Sequence, residues 1–456
     1  MGKPTYDYDL IVIGSGAAGS VAADIVAAAG KRVAIVEPGE LGGTSPNWGA
    51  VPVKAMLEAA RVLQSAKTSE DYGIRASIAG FNYPSVLTWK DTVIARTGVH
   101  EMARHYQSRG IGLYKGAAHF ISPHEITVER RHLSAAHFLI ATGSSFSPLG
   151  LEVPERITPL TPRTALELSK PPRTLFIIGG GQTGVEFAEL FSSFGSNVYI
   201  ADAAPRLLPK EDQEVSSLIE AVFSRQRGIQ VLTKTKLLGI SLDGVSPRIE
   251  FLRGGETHSV RADQVLIASG TTPNTDLGLE NASVSYSSRG IETDASLQTS
   301  ARHIFAAGDV TGTQAYTHTA IYESRLAAHN ILHKQKLSVD YRAVPRVTYT
   351  TPEIASVGMS EEDCLRRDLP VRTSVATISE ATRATVSGRA DGLVKIITDK
   401  RGVLLGASVV CPHAGEVIHE LTLAIQYGMT AAQVAGTLHA YPSWSEAVRI
   451  ACAKLG

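Results

Sequence analysis

Six glycines and two acids are spaced to hold two dinucleotides. Gly14-Ser15-Gly16-Ala17-Ala18-Gly19 follows an apolar run, and Glu37 stands 23 residues after Gly14. In such a turn Gly14 makes the sharp bend, Gly16 lets the backbone approach a pyrophosphate, and Gly19 lets the next helix pack on the strand. The helix N-terminus adds unpaired N–H groups for the phosphates, and the acid accepts from a ribose. The construction recurs at Gly179-Gly180-Gly181-Gln182-Thr183-Gly184, with Asp202 again 23 residues after Gly179. Glycine turns without a ligand do not account for an acid repeated at one offset. At Asp202 a carboxylate pairs with a free ribose 2′-hydroxyl and repels a 2′-phosphate. One base follows nearby, Arg206, so NADH is expected in preference to NADPH.

The elements that must carry these residues are legible around them. Strands over 9–13 and 32–36 flank a helix over 20–29. Strands over 174–178 and 197–201 flank a helix over 185–194. Residues 138–143, 265–270 and 304–309 read as further strands running into glycine. Residues 50–64 and 89–110 read as helices inserted in the first domain, with 68–83 an irregular connection. The last 120 or so residues alternate strand-like segments (346–349, 371–378, 393–397, 404–410) with helical ones (414–427, 431–435, 445–453). The expected fold class is α/β, with two Rossmann-like dinucleotide-binding domains and a C-terminal α+β domain. The expected boundaries are 1–150 and 271–336 for the first domain, 151–270 for the second and 337–456 for the last.

Composition narrows the functional classes. A chain of 456 residues needs two or three cores. Hydrophobic residues at 43% and charged residues at 19% suit a globular enzyme. Lys+Arg 44 balances Asp+Glu 44, so nothing points to nucleic acid or an anionic membrane surface. No run of 18 apolar residues is present, and the start lacks a basic region followed by an apolar core, so no integral membrane association is expected and a cytoplasmic location is. The three cysteines, Cys364, Cys411 and Cys452, are scattered and show no metal-ligand spacing. No metal site is expected.

Residues 42–54, Gly42-Gly43-Thr44-Ser45-Pro46-Asn47-Trp48-Gly49-Ala50-Val51-Pro52-Val53-Lys54, resemble the flavin-side helix of the pyridine nucleotide–disulfide oxidoreductases, the family of dihydrolipoamide dehydrogenase, glutathione reductase and mercuric reductase. Ala141-Thr142-Gly143, the segment ending at Gly270, and Ala306-Ala307-Gly308-Asp309 resemble that family's other glycine signals, so the resemblance spans the chain. The family carries two cysteines five positions apart as a redox disulfide. Ser45 and Ala50 stand at those positions here, and neither can form a thiolate or a disulfide. Near the C-terminus the family has a His-Pro dipeptide and a glutamate four residues later. This chain has Tyr441-Pro442 and Glu446. The histidine and the thiols it would protonate are thus absent together. His439 is read as structural.

The resemblance implies FAD and NAD(H) as cofactors and a homodimer whose partner subunit receives Tyr441 and Glu446. FAD would be held by Gly14, Gly16, Gly19, Glu37, Gly43, Thr44, Lys54, Ala117, Thr142, Gly143 and Asp309. NADH would be held by Gly179, Gly181, Gly184, Glu186, Asp202 and Gly270. Lys54, Glu186, Tyr441 and Glu446 are the implied catalytic set, with Lys54 and Glu186 paired near the flavin. The leading reading is an FAD-dependent NAD(P)H oxidoreductase that passes electrons to a non-disulfide small molecule such as a quinone. The alternatives are a flavin- and NADH-binding regulatory or assembly protein with little turnover, or a flavin transhydrogenase.

Overall fold

The computed structural model describes residues 5–77, 80–147, 150 and 152–455. The expected boundary residues Met1, Leu151 and Gly456 lie outside them. The chain divides into two compact units. One gathers the described residues of Met1–Ala55, Thr88–Ser147 and Gly270–Asp340, and the other those of Met56–Leu87, Pro148–Ser269 and Tyr341–Gly456.

In the first unit, strand Tyr8–Ile13 lies between Val33–Glu37 and Arg131–Ile140 and is parallel to both. Gly112–Lys115 extends the sheet beyond Val33–Glu37, and Ile304–Ala306 pairs in parallel with Arg131–Ile140. The central strand is apolar at successive positions because both of its faces are covered. Leu10 and Val12 pack among Ala22, Ala23 and Val26 of helix Ala17–Ala28, whereas Ile11 and Ile13 pack on the other side with Phe120, Ile126 and Phe138. Burying one such side chain contributes roughly 1.5–3 kcal/mol. Helix Ala17–Ala28 also lies against Thr317–Leu332 through small residues, and Ser324 Oγ donates to the Ala18 carbonyl between them.

The second unit holds two sheets of different character. Gln230–Leu232, Asn197–Ala201, Thr174–Ile178 and Gln264–Ile267 form a parallel sheet in that order. Helix Gln182–Ser193 is joined to it, burying Val185, Phe187, Leu190 and Phe191. A three-stranded antiparallel meander, Lys236–Asp243, Ser246–Arg253 and Glu256–Arg261, lies in the same stretch of chain. The C-terminal part is a five-stranded antiparallel sheet ordered Arg346–Thr348, Glu353–Gly358, Leu404–Cys411, Leu393–Asp399, Val371–Thr377. Helices Ala414–Gln426 and Ser445–Ala453 complete its core.

The α/β class with Rossmann-like regions and a separate C-terminal α+β domain stands as expected. Local differences have physical causes. Helix Ala17–Ala28 begins three residues before the expected position 20, directly at its Gly16 N-cap, which brings its first N–H groups to the glycine turn. The helix expected from 89 begins at Tyr83, where Asn82 Oδ1 accepts the Ser85 N–H at 3.2 Å, and it stops at Arg96 ahead of Gly98 with φ 77°. Strand Glu353–Gly358 was not expected. The Thr350-Thr351-Pro352 run before it reads as a turn, yet it closes a hairpin that pairs Arg346 with Ser356.

Candidate dinucleotide and redox site

Gly14 and Gly19 fit the first turn together. Gly14 has φ +102°, and a Cβ there would come 2.3 Å from the Ala141 carbonyl oxygen, while a Cβ on Gly19 would come 1.9 Å from the Gly14 carbonyl. Larger residues at either place would separate strand from helix. The middle glycine differs. A Cβ on Gly16 would meet nothing nearer than the Gly43 Cα at 3.9 Å, and Gly43 (φ +66°) has room for none, its Cβ falling 2.8 Å from the Gly16 Cα. Two bare backbones therefore face each other at the start of helix Ala17–Ala28. That helix has no side-chain cap and no acid in its first turn. This is the donor set a pyrophosphate requires.

The acid closes the same turn. Glu37 Oε2 accepts both the Ser15 N–H and its hydroxyl at 2.8 Å, and Oε1 accepts the Gly39 N–H at 2.8 Å. Ser15 Oγ also accepts from the Gly42 N–H at 3.2 Å, tying the first glycine turn to the segment leading to Gly43 and Thr44. The sequence reading missed Ser15. A hydroxyl inside a glycine turn with an acid at the facing strand end was the available signal. Lys115 Nζ reaches the Gly39 carbonyl, and exposed Ala117 follows two residues later.

Thr142, Gly143 and Asp309 are joined by a polar clamp in this unit. Thr142 Oγ1 donates to the Asn274 carbonyl at 2.7 Å, Asn274 Nδ2 returns a bond to the Thr142 carbonyl at 2.9 Å, and the Asn274 N–H donates to Gly143 O at 3.0 Å. Strands Ser144–Phe146 and Thr271–Pro273, just after Gly270, pair antiparallel beside it. Asp309 Oδ2 accepts from Ser144 Oγ at 3.0 Å, and burial pushes its carboxyl up from the usual carboxylate range. Fully buried Glu323 takes the Gly308 N–H at 2.6 Å and so fixes the turn before Asp309.

The second glycine turn repeats the first. Gly179 has φ +114°, with its Cβ position 2.6 Å from the Ala268 carbonyl, and a Cβ on Gly184 would stand 1.9 Å from the Gly179 carbonyl. A Cβ on Gly181 would meet nothing within 4 Å, and helix Gln182–Ser193 again lacks a side-chain cap and an acid in its first turn. Asp202 Oδ2 accepts the Gly180 N–H at 2.6 Å, and Oδ1 accepts the Ala204 N–H at 2.7 Å. Arg206 faces elsewhere: it donates to Glu362 at 2.7 Å and to the Pro209 and Glu211 carbonyls at 3.4 and 3.5 Å. Glu186 is 3% exposed, and its Oε1 accepts the Tyr349 N–H at 3.0 Å. Glu189, one turn on, takes the Thr351 N–H at 2.8 Å. The phosphate-side helix is thereby fastened to the start of the C-terminal domain.

Both glycine turns thus fit a dinucleotide. The residues between them and the redox chemistry are less usual. Asn47 Nδ2 donates to the Leu41 and Gly43 carbonyls, both at 2.8 Å, and so shapes the turn that presents Ser45. Ser45 is half-buried, Ala50 is exposed at the start of helix Ala50–Lys67, and Lys54 is half-buried one turn later. The three cysteines all belong to the other unit, are buried and form no disulfide. Burial pushes the Cys364 thiol up, and pushes Cys411 and Cys452 up to about 12.

Tyr441 is 73% exposed in the segment before helix Ser445–Ala453. Glu446, on that helix, accepts the Thr382 N–H at 3.0 Å within its own chain. His439 lies with Nδ1 2.8 Å from the Thr437 carbonyl and Nε2 3.1 Å from Glu420 Oε2, so both ring nitrogens hold the segment that carries Tyr441. Among the described residues, no group of three or more His, Cys, Asp or Glu side chains is placed to hold a metal ion, and no helix is long and apolar enough to cross a membrane.

Comparison with known proteins agrees with this geometry. Residues 8–324 match the family model described as pyridine nucleotide-disulphide oxidoreductase, and residues 344–452 match the model of that family's dimerisation domain, which supports a homodimer. The chain is 36% identical over 446 residues to dihydrolipoyl dehydrogenase of Thermus scotoductus, covering 96% of this chain and 95% of that one. It is 33% identical over 449 residues to mercuric reductase of Bacillus cereus, covering 98% and 71%. Among solved structures, the Cu(II) complex of the HOCl-induced flavoprotein disulfide reductase RclA from Escherichia coli superposes with a TM-score of 0.88 at 27% identity, covering 99% of this chain and 100% of that one. LpdA from Mycobacterium tuberculosis superposes at 0.87 with 26% identity, covering 98% and 99%.

Proposed function

From the premise that this chain belongs to the pyridine nucleotide–disulfide oxidoreductase family, binds FAD and NAD(H) and is an oxidoreductase, we propose that it reduces a small planar acceptor of the quinone type without a thiol relay. The observation that carries the reading is Ser45 and Ala50 at the two thiol positions, together with three cysteines whose thiols are buried. A thiolate is the reactive form in disulfide exchange, and none of these groups supplies one at neutral pH. Bound FAD supplies a two-electron carrier between NADH and the acceptor.

The chain's own residues would divide the work as follows. Gly16 and Gly43 present bare backbone to the FAD pyrophosphate, and Glu37 orients the adjoining ribose. Gly181 and the uncapped helix behind it do the same for NADH. Asp202 favours a ribose 2′-hydroxyl, and Arg206, engaged by Glu362, is not turned to a 2′-phosphate. Glu186, held by Tyr349, and Lys54 would position nicotinamide and balance charge at the flavin. Tyr441, contributed by the partner subunit, would donate its phenolic hydrogen to an acceptor carbonyl. The overall balance is NADH, one proton and a quinone giving NAD⁺ and a hydroquinone.

Mercuric ion, named in the activity of the Bacillus cereus relative, would find no thiol pair at Ser45 and Ala50. The copper of the RclA complex likewise has no three-residue ligand group among the described residues of this chain. The test is NADH oxidation with menadione beside lipoamide and oxidised glutathione. Turnover is expected with the quinone alone, and Tyr441→Phe should lower it about tenfold while leaving flavin reduction by NADH unchanged. Disulfide turnover, or quinone turnover unaffected by Tyr441→Phe, would remove respectively the acceptor class or the residue.

A further inference from the structure

The second unit contains a cleft of about 430 Å³ that the proposed redox chemistry does not use. It is walled by the helix bearing Arg61, the turn at Tyr72, the Thr350–Glu353 turn, the helix Thr382–Ser387 with Arg389 beyond it, His413 and Trp444. Its size is within the roughly 300–1,000 Å³ of small-molecule pockets.

Charge in this cleft is unbalanced. Its one carboxylate, Glu353, is fully engaged: Oε1 accepts from Arg61 at 3.2 Å and Oε2 from the Gly415 N–H at 3.1 Å. Arg61 also reaches Glu58 at 2.8 Å. The guanidinium groups of Arg383 and Arg389 make no hydrogen bond or ion pair with any described residue of this chain, and neither does the His413 imidazole. Two guanidinium groups thus line one cavity with no counter-charge from the described residues of this chain. The wall is also held in shape, since Tyr72 Oη donates to the Ser387 carbonyl at 2.6 Å and joins the two sides. The Tyr72 ring and the Trp444 indole add flat apolar surface.

We propose that this cleft binds a small aromatic carboxylate, its charge met by Arg383 and Arg389 and its ring set against Trp444 and Tyr72. Guanidinium forks pair with planar carboxylates through two parallel hydrogen bonds, and aromatic side chains supply contact area for the ring. A phosphate would satisfy the charge but would leave the aromatic walls uncovered. None of the lining residues belongs to a glycine turn, so the proposal does not rest on whether the acceptor is a quinone.

The FAD-loaded dimer titrated calorimetrically with 2-naphthoate tests this directly. Saturable binding is expected, weakened about tenfold or more in Arg383→Ala/Arg389→Ala. NADH-driven flavin reduction in that variant should match the parent, which shows that it is folded. In the unaltered protein, methyl 2-naphthoate, which lacks the charge, should bind at least about tenfold more weakly. Quenching of Trp444 fluorescence by the probe should disappear in Trp444→Phe while binding persists. Absence of saturable binding, equal affinity in the double variant, or equal affinity for the ester would each overturn the proposal. So would binding that appears only when the dimer is dissociated, because a second copy would then be the occupant.

Discussion

Asp202 takes the backbone N–H of Gly180 at 2.6 Å, joining the end of one strand to the turn that follows its neighbour. Glu37 and Ser15 are joined in the same way at 2.8 Å in the other unit. In each case the acid stands 23 residues after the first glycine, so the spacing reflects a local closure of the turn. The carboxylate is oriented before any nucleotide arrives, which lowers the ordering cost of binding.

Nucleotide choice follows from that orientation. On the proposed reading the Asp202 carboxylate would face a 2′-phosphate, and Arg206 is directed to Glu362. The rate of flavin reduction per unit concentration should be higher with NADH than with NADPH. Asp202→Ala should narrow that preference by about tenfold, as loss of a charged hydrogen bond worth about 1.5–3 kcal/mol implies, while FAD stays bound. Stopped-flow flavin bleaching measures both. A preference unchanged in the variant would place the discrimination in other residues.

The thiols give a second expectation. With Cys411 and Cys452 pushed up to about 12 by burial, both stay in the unreactive thiol form at pH 8. Iodoacetamide should therefore label native protein slowly, and NADH-driven flavin reduction should continue at its full rate after prolonged exposure. Rapid labelling of one cysteine accompanied by loss of reduction would identify a thiol that takes part.

Much of this was legible because glycine turns, terminal acids and their offsets are local features. Both strand–turn–helix units fall where their residues suggested, and Thr174–Ile178 and Asn197–Ala201 carry the expected limits. The partners that hold the site were not legible. Ser15, Asn274, Glu323 and Tyr349 act across 15 to 163 positions, and no periodicity marks them. Glu446 shows the converse. Its place in a familiar pattern put it in the implied catalytic set, and no pattern indicated that its carboxylate also accepts the Thr382 N–H of a short helix. A spacing reports which residue is present, and only packing reports which proton it meets.

Asp309 offers a test with a defined sign. Burial raises its carboxyl above the ordinary value of 3.8, so the folded chain binds this proton more tightly than the unfolded chain does. The cost of ionising it is absent below the unfolded value and fully present above the folded one. Asp309→Asn should therefore raise the melting temperature of the FAD-free protein at pH 7, with the gain shrinking as pH falls toward 3.8. Differential scanning calorimetry at several pH values checks it. A loss of stability at pH 7 would mean that the Ser144 hydrogen bond outweighs burial.

Electron counting tests the central claim most directly. With Ser45 and Ala50 in place of two thiols, the pair that would hold a second electron pair is missing. Anaerobic titration with dithionite or NADH should end at two electrons per FAD, with no long-wavelength thiolate–flavin band at any stage. Uptake near four electrons, accompanied by that band, would contradict the account and show that a cysteine pair from elsewhere in the dimer had taken over the relay.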